Sequence, residues 1–177
     1  ALTLIDKWKN LNARDRCRDD FLEFVKFHWE GFIMGRHHKI LADKLNRIAQ
    51  GKCKRLMVML PPRHSKSEFA STYFPAWMMG LNPNLKIIQA THTADLAIDF
   101  GRKTKNLIDE KKYHEMFDTR LQEDSQAAGK WKTEQGGEYF AAGVGGAITG
   151  RGADLLIIDD PHKEQDIKKD SKSFEKA

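Results

Sequence analysis

The chain has 177 residues, of which 40% are hydrophobic and 31% charged, with a formal net charge of +5. This size and composition are typical of one globular domain, and the two cysteines, Cys17 and Cys53, follow no spacing of a disulfide framework or zinc site. No apolar stretch approaches the ~20 residues of a membrane-spanning helix and no secretory signal pattern is present, so we expect a soluble intracellular protein without a membrane partner.

Two amphipathic helices are predicted near the N-terminus. Apolar residues recur at helical spacing from Asp15 to Gly31 and again from Arg36 to Gln50. Gly51 follows the second helix, where a helix-ending glycine belongs. We interpret residues 1–54 as a helical segment that packs on a core formed by residues 55–177.

Strands and helices are predicted to alternate in that core. Arg55 to Leu60 is interpreted as a first buried strand and Leu85 to Ala90 as a second. A helix is predicted from near Ser67 to Leu81, kinked or restarted at Pro75, and Thr93 is a candidate cap for the next helix. Such alternation favours parallel strand pairing.

The C-terminal half is predicted to complete the sheet. Lys111 to Lys130 reads as a loop with one short helix, and Trp131–Glu134 with Glu138–Ala142 as a hairpin around a glycine pair. A glycine-rich loop, residues 143–152, leads into a strand at Leu155–Ile158. The expected fold is α/β, with a mainly parallel central sheet flanked by helices.

Residues 61–67, Pro-Pro-Arg-His-Ser-Lys-Ser, have the setting of a phosphate-binding loop, between a predicted strand and a predicted helix. In such loops backbone N–H groups and a lysine contact the phosphates, and the next hydroxyl binds Mg²⁺. Lys66 and Ser67 fit these roles, although Leu60 and Ser65 occupy the two glycine positions of the usual pattern. We therefore predict an ATP and Mg²⁺ site whose nucleotide contacts are Pro62, Arg63, His64, Ser65, Lys66, Ser67 and Glu68. The alternative is a surface turn with a solvated lysine.

Two adjacent carboxylates follow the last predicted strand. Asp159 ends the aliphatic run, which places it at the carboxyl edge of a parallel sheet, where ligands of open α/β folds bind. We predict that Asp159 and Ser67 hold Mg²⁺ and that Asp160 orients the attacking water. The alternative is an Asp-Asp-Pro turn after a strand.

Two arginines are candidates for stabilising the charge that develops on the γ-phosphate. Arg63 lies inside the loop and would act in cis. Arg151 lies between two glycines, and we favour it as a catalytic finger that reaches a neighbouring subunit. A solvated arginine in a glycine turn is the alternative for Arg151.

Several segments together resemble the large terminase subunits of tailed bacteriophages, the motors that package DNA into a procapsid. The resemblance spans most of the chain and is carried by Leu60 to Glu68, Phe74 to Trp77, Ala90 to Thr93, Gly145 to Asp154 and Ile157 to Pro161.

The resemblance implies an ATPase domain of the RecA-like, additional-strand P-loop kind, with the loop residues and paired carboxylates in the roles described above. The family usually carries an arginine in its phosphate loop, matched here by Arg63, and more often has glycine where Ser65 stands. It also places an adenine-contacting motif upstream, which falls near Phe32 to His38.

The implied partners are double-stranded DNA, a portal protein, a small terminase subunit and further copies in a ring. The implied location is the host cell cytoplasm, docked on the procapsid. No coupling motif is found in Pro161 to Ala177, and no RNase H-like nuclease domain follows. We therefore expect a fragment that is truncated after the strand carrying the paired carboxylates, the Walker B strand. Such a fragment would hydrolyse ATP feebly and would not cut DNA.

Two other functions remain open from the sequence. One is a helicase-like ATPase that remodels nucleic acid, which would separate strands rather than move a duplex. The other is a non-hydrolysing nucleotide-binding or DNA-binding module, for which binding would survive Asp160→Asn and no turnover would occur even when subunits are concentrated.

Overall fold

The structure is a computed structural model that describes residues 13–125, 127–146, 148 and 150–162. Two helices open the described chain after a helical stretch at residues 13–19, and they are α1 (Phe21–His28) and α2 (Arg36–Ala49). Asp20 caps α1 by accepting a hydrogen bond from the Glu23 N–H, and its other carboxylate oxygen accepts one from the Asn46 amide of α2. Both predicted helical regions are confirmed, with a break after residue 19.

The strand predicted from Arg55 to Leu60 is wrong. The segment is extended, and its side chains alternate in burial: Leu56, Val58 and Leu60 pack against the core, whereas Met57 and Met59 are 83% and 85% exposed. It nevertheless pairs with none of the four described strands. Alternating hydrophobicity in a sequence indicates which side of an extended segment is buried. A β-strand also needs backbone hydrogen bonds to a neighbouring strand, which the alternation does not predict.

One continuous helical run follows the loop, from residue 66 to residue 81. Its middle, Glu68–Tyr73, is a π-helix, and α3 (Phe74–Leu81) completes it. The wide turn is visible in the hydrogen bond from the Phe74 N–H to the carbonyl of Phe69, five residues earlier. Pro75 lies in the first turn of α3, where a proline is tolerated, and the helical run continues through it without a new start.

A four-stranded mixed sheet forms the centre of the fold. Its strands are β1 (Lys86–Thr91), β2 (Lys130–Lys132), β3 (Glu138–Gly143) and β4 (Leu155–Asp159), in the order β2-β3-β1-β4. β1 pairs in parallel with both β3 and β4, and β2 pairs antiparallel with β3 as the predicted hairpin. The fold is therefore α/β, with a small, mostly parallel sheet flanked by helices.

Helix α4 (Ala94–Asp109) covers the sheet, and a short α5 (Lys111–His114) follows it. α4 packs against β1, β2, β3 and the π-helix, and Thr93 caps it by accepting from the Leu96 N–H. Trp131 and Tyr139 stack beneath α4 with ring centroids 4.9 Å apart, and the Trp131 indole donates to the Gly101 carbonyl. Each such fully buried aromatic stabilises the fold by about 1.5–3 kcal/mol.

Helices α1 and α2 belong to the same hydrophobic core as the rest of the chain. Phe21 of α1 contacts the rings of Phe69, Phe74 and Trp77, each at about 5.5 Å between centroids. The Trp77 indole in turn donates to the Cys17 carbonyl over 2.8 Å. These contacts fix the helix that carries the loop against the N-terminal helices. Within the described part of the chain, no helix has the length and apolar character to cross a bilayer.

Candidate functional site

The paired carboxylates lie at the carboxyl ends of parallel strands, as the sequence pattern predicted. Asp159 is the last residue of β4 and is in register with Thr91, the last residue of β1. Asp160 follows directly, and its carbonyl accepts a hydrogen bond from the His92 N–H just beyond β1. Both strand ends therefore present polar groups at one edge of the sheet.

Lys66 of the loop reaches both carboxylates. Its Nζ lies 3.2 Å from Oδ1 of Asp159 and donates a short hydrogen bond to Oδ1 of Asp160. Partial burial alone would lower the pKa of Lys66, but the bonds and charges of Asp160 and Asp159 outweigh it, so the pKa lies above its ordinary value. Residues about 93 apart in sequence thus form one charged centre.

An open cleft of about 1220 Å³ surrounds this centre. It is lined by the whole loop together with Asp160 and His92, and by Trp29 from the end of α1. The first N–H groups of any helix lack an intrahelical acceptor, and here those groups belong to the loop that lines the cleft. A cleft edged by free N–H groups and an ammonium suits an anionic ligand.

Backbone strain is concentrated in this site. Among the described residues, the non-glycine residues with positive φ are Arg63 (62°), Ser65 (62°) and Asp160 (44°). Left-handed backbone costs a non-glycine residue of order 1–3 kcal/mol and is often found at functional sites. The φ of Ser65 also explains why glycine suits this position in phosphate loops.

The other loop residues that were predicted to contact a nucleotide also line the cleft. Pro62, Arg63 and Ser67 line it, and His64 donates from Nδ1 to the Pro62 carbonyl over 2.9 Å, which folds the loop back on itself. Glu68 also lines the cleft and is paired with Lys103 of α4. All seven residues predicted to contact a nucleotide therefore share one surface.

Arg151 is not brought to this centre within the chain. Its guanidinium donates to Glu138 over 3.1 Å and lies 3.9 Å from the ring centroid of Phe140. Glu138 begins β3, whereas the carboxylates lie at the opposite end of the neighbouring parallel strands. A contact from Arg151 to the loop of another subunit stays a prediction.

The predicted adenine-contacting segment, Phe32 to His38, lies close to the loop. The His37 ring is 5.3 Å from the His64 ring, and Phe32 packs against His38 and Phe69. Trp29, just before this segment, is the aromatic residue that lines the cleft. The position of Trp29 at the cleft was not predicted from the sequence, because its helical spacing with Val25 is also typical of a core residue.

A buried polar chain behind Asp159 was not predicted from the sequence. The Ser71 hydroxyl donates to Oδ2 of Asp159 over 3.0 Å, and the Gln89 amide donates to the Ser71 oxygen over 3.3 Å. Ser71 and Gln89 have no exposed surface. The available signal was Gln89 itself, a polar residue inside the apolar run of β1, because a buried amide needs partners.

The donor set at the carboxylates fits a hard divalent cation. Mg²⁺ is commonly held by one or two carboxylates together with hydroxyl, phosphate and water oxygens. Asp159 and Asp160 provide carboxylates that both contact the Lys66 ammonium, and Ser67 provides a hydroxyl in the lining of the cleft. In the described ranges no three His, Cys, Asp or Glu side chains form a metal-binding group.

Comparisons of the chain with protein-family models, with curated proteins and with solved structures found no match. A function for the chain therefore has to come from the chemistry of its own site.

Proposed function

We propose that the chain is the ATPase domain of a viral DNA-packaging motor, a P-loop ATPase of the RecA-like, additional-strand kind that resembles the large terminase subunits of tailed bacteriophages. Its substrate is ATP with Mg²⁺. The observation that carries the proposal is the contact of Lys66 with Asp159 and Asp160, beside an open cleft and at the carboxyl ends of parallel strands.

The contact is informative because neither segment alone is specific. A lysine in a turn and two aspartates after a strand are each common surface features. Their convergence at a strained loop that opens a long helix requires the intervening chain to fold as one α/β unit. Phosphate loops paired with strand-end carboxylates share this convergence of a lysine with carboxylates, whereas the extended segment before this loop pairs with none of the described strands.

Each residue then has a role in phosphoryl transfer. The loop N–H groups and Lys66 bind the β- and γ-phosphates, and Asp159 with Ser67 holds the ion. A bound Mg²⁺ would neutralise charge on the phosphate oxygens. Asp160 orients the attacking water. Arg63 in cis, or Arg151 from a neighbouring subunit, stabilises the charge that develops on the γ-phosphate.

The proposed partners follow from the resemblance. They are double-stranded DNA, a portal protein, a small terminase subunit and further copies of the chain in a ring, at a procapsid in the host cell cytoplasm. The net charge of +5 is compatible with a polyanionic partner.

Calorimetric titration with a Mg²⁺-bound, non-hydrolysable ATP analogue tests the site. Lys66→Ala is expected to weaken binding by about 10–100-fold, because it removes charge-assisted hydrogen bonds worth ~1.5–3 kcal/mol. The variant also leaves Asp159 and Asp160 without their shared cation.

Lys26→Ala is the matched control. Lys26 forms an ion pair with Glu23 at 2.6 Å on the surface of α1, so its loss removes the same charge and a comparable pair away from the cleft. Equal affinities for wild type and Lys66→Ala, or equal losses in both variants, would show that the loop does not bind phosphate.

A measurement of ATP hydrolysis distinguishes the packaging ATPase from the two alternative functions. We expect ATP hydrolysis that Asp160→Asn abolishes and that duplex DNA stimulates more than single-stranded DNA. Stimulation by single strands together with strand separation would favour a helicase-like ATPase. Nucleotide binding without turnover at any protein concentration would favour a binding module.

A further inference from the structure

The polar chain behind Asp159 has a fixed direction. Gln89 Nε2 donates to the Ser71 oxygen, and the Ser71 hydroxyl proton is directed to Oδ2 of Asp159. A hydroxyl has one proton to donate, so Ser71 can accept from Gln89 and also bond Asp159 only when Asp159 is an acceptor, while Gln89 Oε1 has no partner among the described residues. An ionised carboxylate is the acceptor that makes this bond strongest.

This polar chain divides the two oxygens of Asp159 between the interior of the fold and Lys66 of the loop. Oδ2 accepts from Ser71 inside the core, while Oδ1 lies 3.2 Å from Lys66 on the side of the loop. The side chain of Asp159 is 8% exposed. Rotation of the carboxylate would break the Ser71 bond inside the core, so its orientation is held from behind.

The π-helix carries Ser71 into this position. Ser71 lies one turn beyond Ser67 in a segment where the α-helical bonding pattern is lost. The Thr104 hydroxyl of α4 lies 3.4 Å from the carbonyl oxygens of Ser71 and Thr72. Pro75, four residues after Ser71, has no N–H to donate to that carbonyl. The segment is thus held on two sides.

We propose that Ser71, supported by Gln89, is a positioning residue that holds Asp159 with a single carboxylate oxygen directed to the divalent cation of the nucleotide complex. This inference rests on the proposed function. Residues that hydrogen-bond a metal ligand from behind typically change metal affinity by about 10–100-fold when they are removed.

The π-helix offers two closely matched variants. Ser71→Ala removes the hydroxyl that contacts Asp159. Thr72→Val removes the neighbouring buried hydroxyl, whose Oγ1 has no partner among the described residues. Both variants delete one buried hydroxyl from the same π-helix, but only the first touches the carboxylate.

The first measurement is Mn²⁺ binding, followed by electron paramagnetic resonance, with the chain saturated by a non-hydrolysable ATP analogue. Ser71→Ala is expected to weaken Mn²⁺ binding about tenfold or more and to leave the affinity for the analogue in EDTA unchanged. Thr72→Val is expected to change neither. Equal effects of the two variants, or an equal loss of metal-free nucleotide binding in Ser71→Ala, would overturn the positioning role.

The second measurement needs no nucleotide. Urea unfolding of Ser71→Ala, Asp159→Ala and the double variant forms a double-mutant cycle, in which Asp159→Ala removes the oxygen that accepts from Ser71. The combined loss in the unfolding equilibrium constant is expected to be about tenfold smaller than the product of the single losses, because both single variants break one bond. Strict additivity would show that the bond is not made.

The two measurements distinguish the failure of this inference from the failure of the proposed function. If wild type binds neither Mn²⁺ nor the analogue, the proposed function fails. The positioning role then falls with it, even where the unfolding cycle shows coupling. If wild type binds both and Ser71→Ala binds Mn²⁺ normally, only the positioning role fails.

Discussion

Acidification is expected to destabilise the fold through His28. Its side chain is fully buried in α1, with Nδ1 3.3 Å from Oε2 of Glu110 and with Nε2 lacking a partner among the described residues. A neutral ring donates from Nδ1 and leaves Nε2 as an acceptor. A second proton would add an N–H beside the rings of Phe24 and Tyr113, at 4.5 and 6.2 Å between centroids. Burial, with a smaller contribution from Lys112, therefore lowers the pKa of His28 to about 4.

The size of the effect follows from that shift. The unfolded chain takes up the proton near pH 6.5, whereas the folded chain takes it up near pH 4. Because the unfolded state binds more protons between these values, stability falls as the pH is lowered through this window. One pKa unit corresponds to 1.36 kcal/mol, so about 3 kcal/mol is lost across the whole window and about 2 kcal/mol by pH 5.

Glu110 acts in the opposite direction but more weakly. Burial raises its pKa despite the nearby Lys112, so the folded chain holds the Glu110 proton more tightly and loses some stability as the pH rises above about 4.5. Its side chain is 46% exposed, which lets solvent screen the interaction. The pH profile around His28 therefore keeps the sign set by the histidine.

Urea denaturation of wild type and His28→Gln between pH 5 and pH 7.5 measures this contribution. Glutamine can still donate to Glu110 but does not titrate, so the difference in free energy of unfolding between the two proteins should change by about 2 kcal/mol across this range. Glu110→Gln is the control, and it should retain most of the slope. Parallel pH profiles for wild type and His28→Gln would refute the reasoning.

Two further outcomes are expected. Gly101→Ala should destabilise the fold by about 1–3 kcal/mol in urea or thermal unfolding, because a Cβ there would lie 2.5 Å from the Ala128 carbonyl oxygen and 2.9 Å from the Tyr139 ring. A stabilised variant, as helix propensity alone would give, would contradict this packing. Arg151→Ala should change the free energy of unfolding by less than about 1 kcal/mol, since its pair with Glu138 is partly exposed. It should, however, abolish the rise of specific ATPase activity with protein concentration; a rise that persists would exclude the trans contact.

The elements that the sequence predicted well share a local signal. The aliphatic run of β4 ends at a carboxylate, and that pattern sufficed to place Asp159 at the sheet edge. The hairpin of β2 and β3 follows from its glycine pair, where Gly136 adopts a φ of 99°. The cap of α4 at Thr93 is equally local.

Two of the features that were not predicted depend on distant parts of the chain, and a third has no distinctive local pattern. The alternation from Leu56 to Leu60 was visible, but whether an extended segment finds a neighbouring strand depends on the topology. The bond from Ser71 to Asp159 joins residues 88 positions apart. A π-helix has nearly the same apolar spacing as an α-helix, so Glu68–Tyr73 could not be distinguished in advance.

Strand β4 is an edge strand with an apolar outer face, and this affects how the protein behaves in solution. It pairs only with β1 in the described sheet, and Leu156 and Ile158 are 55% and 58% exposed. A strand edge with no further partner among the described residues is a template for sheet-to-sheet association between molecules. Concentrated samples are therefore prone to cross-strand aggregation, which a lysine at position 156 or 158 would suppress without touching the cleft. Such a variant would be the appropriate background for any assay in which protein concentration is varied.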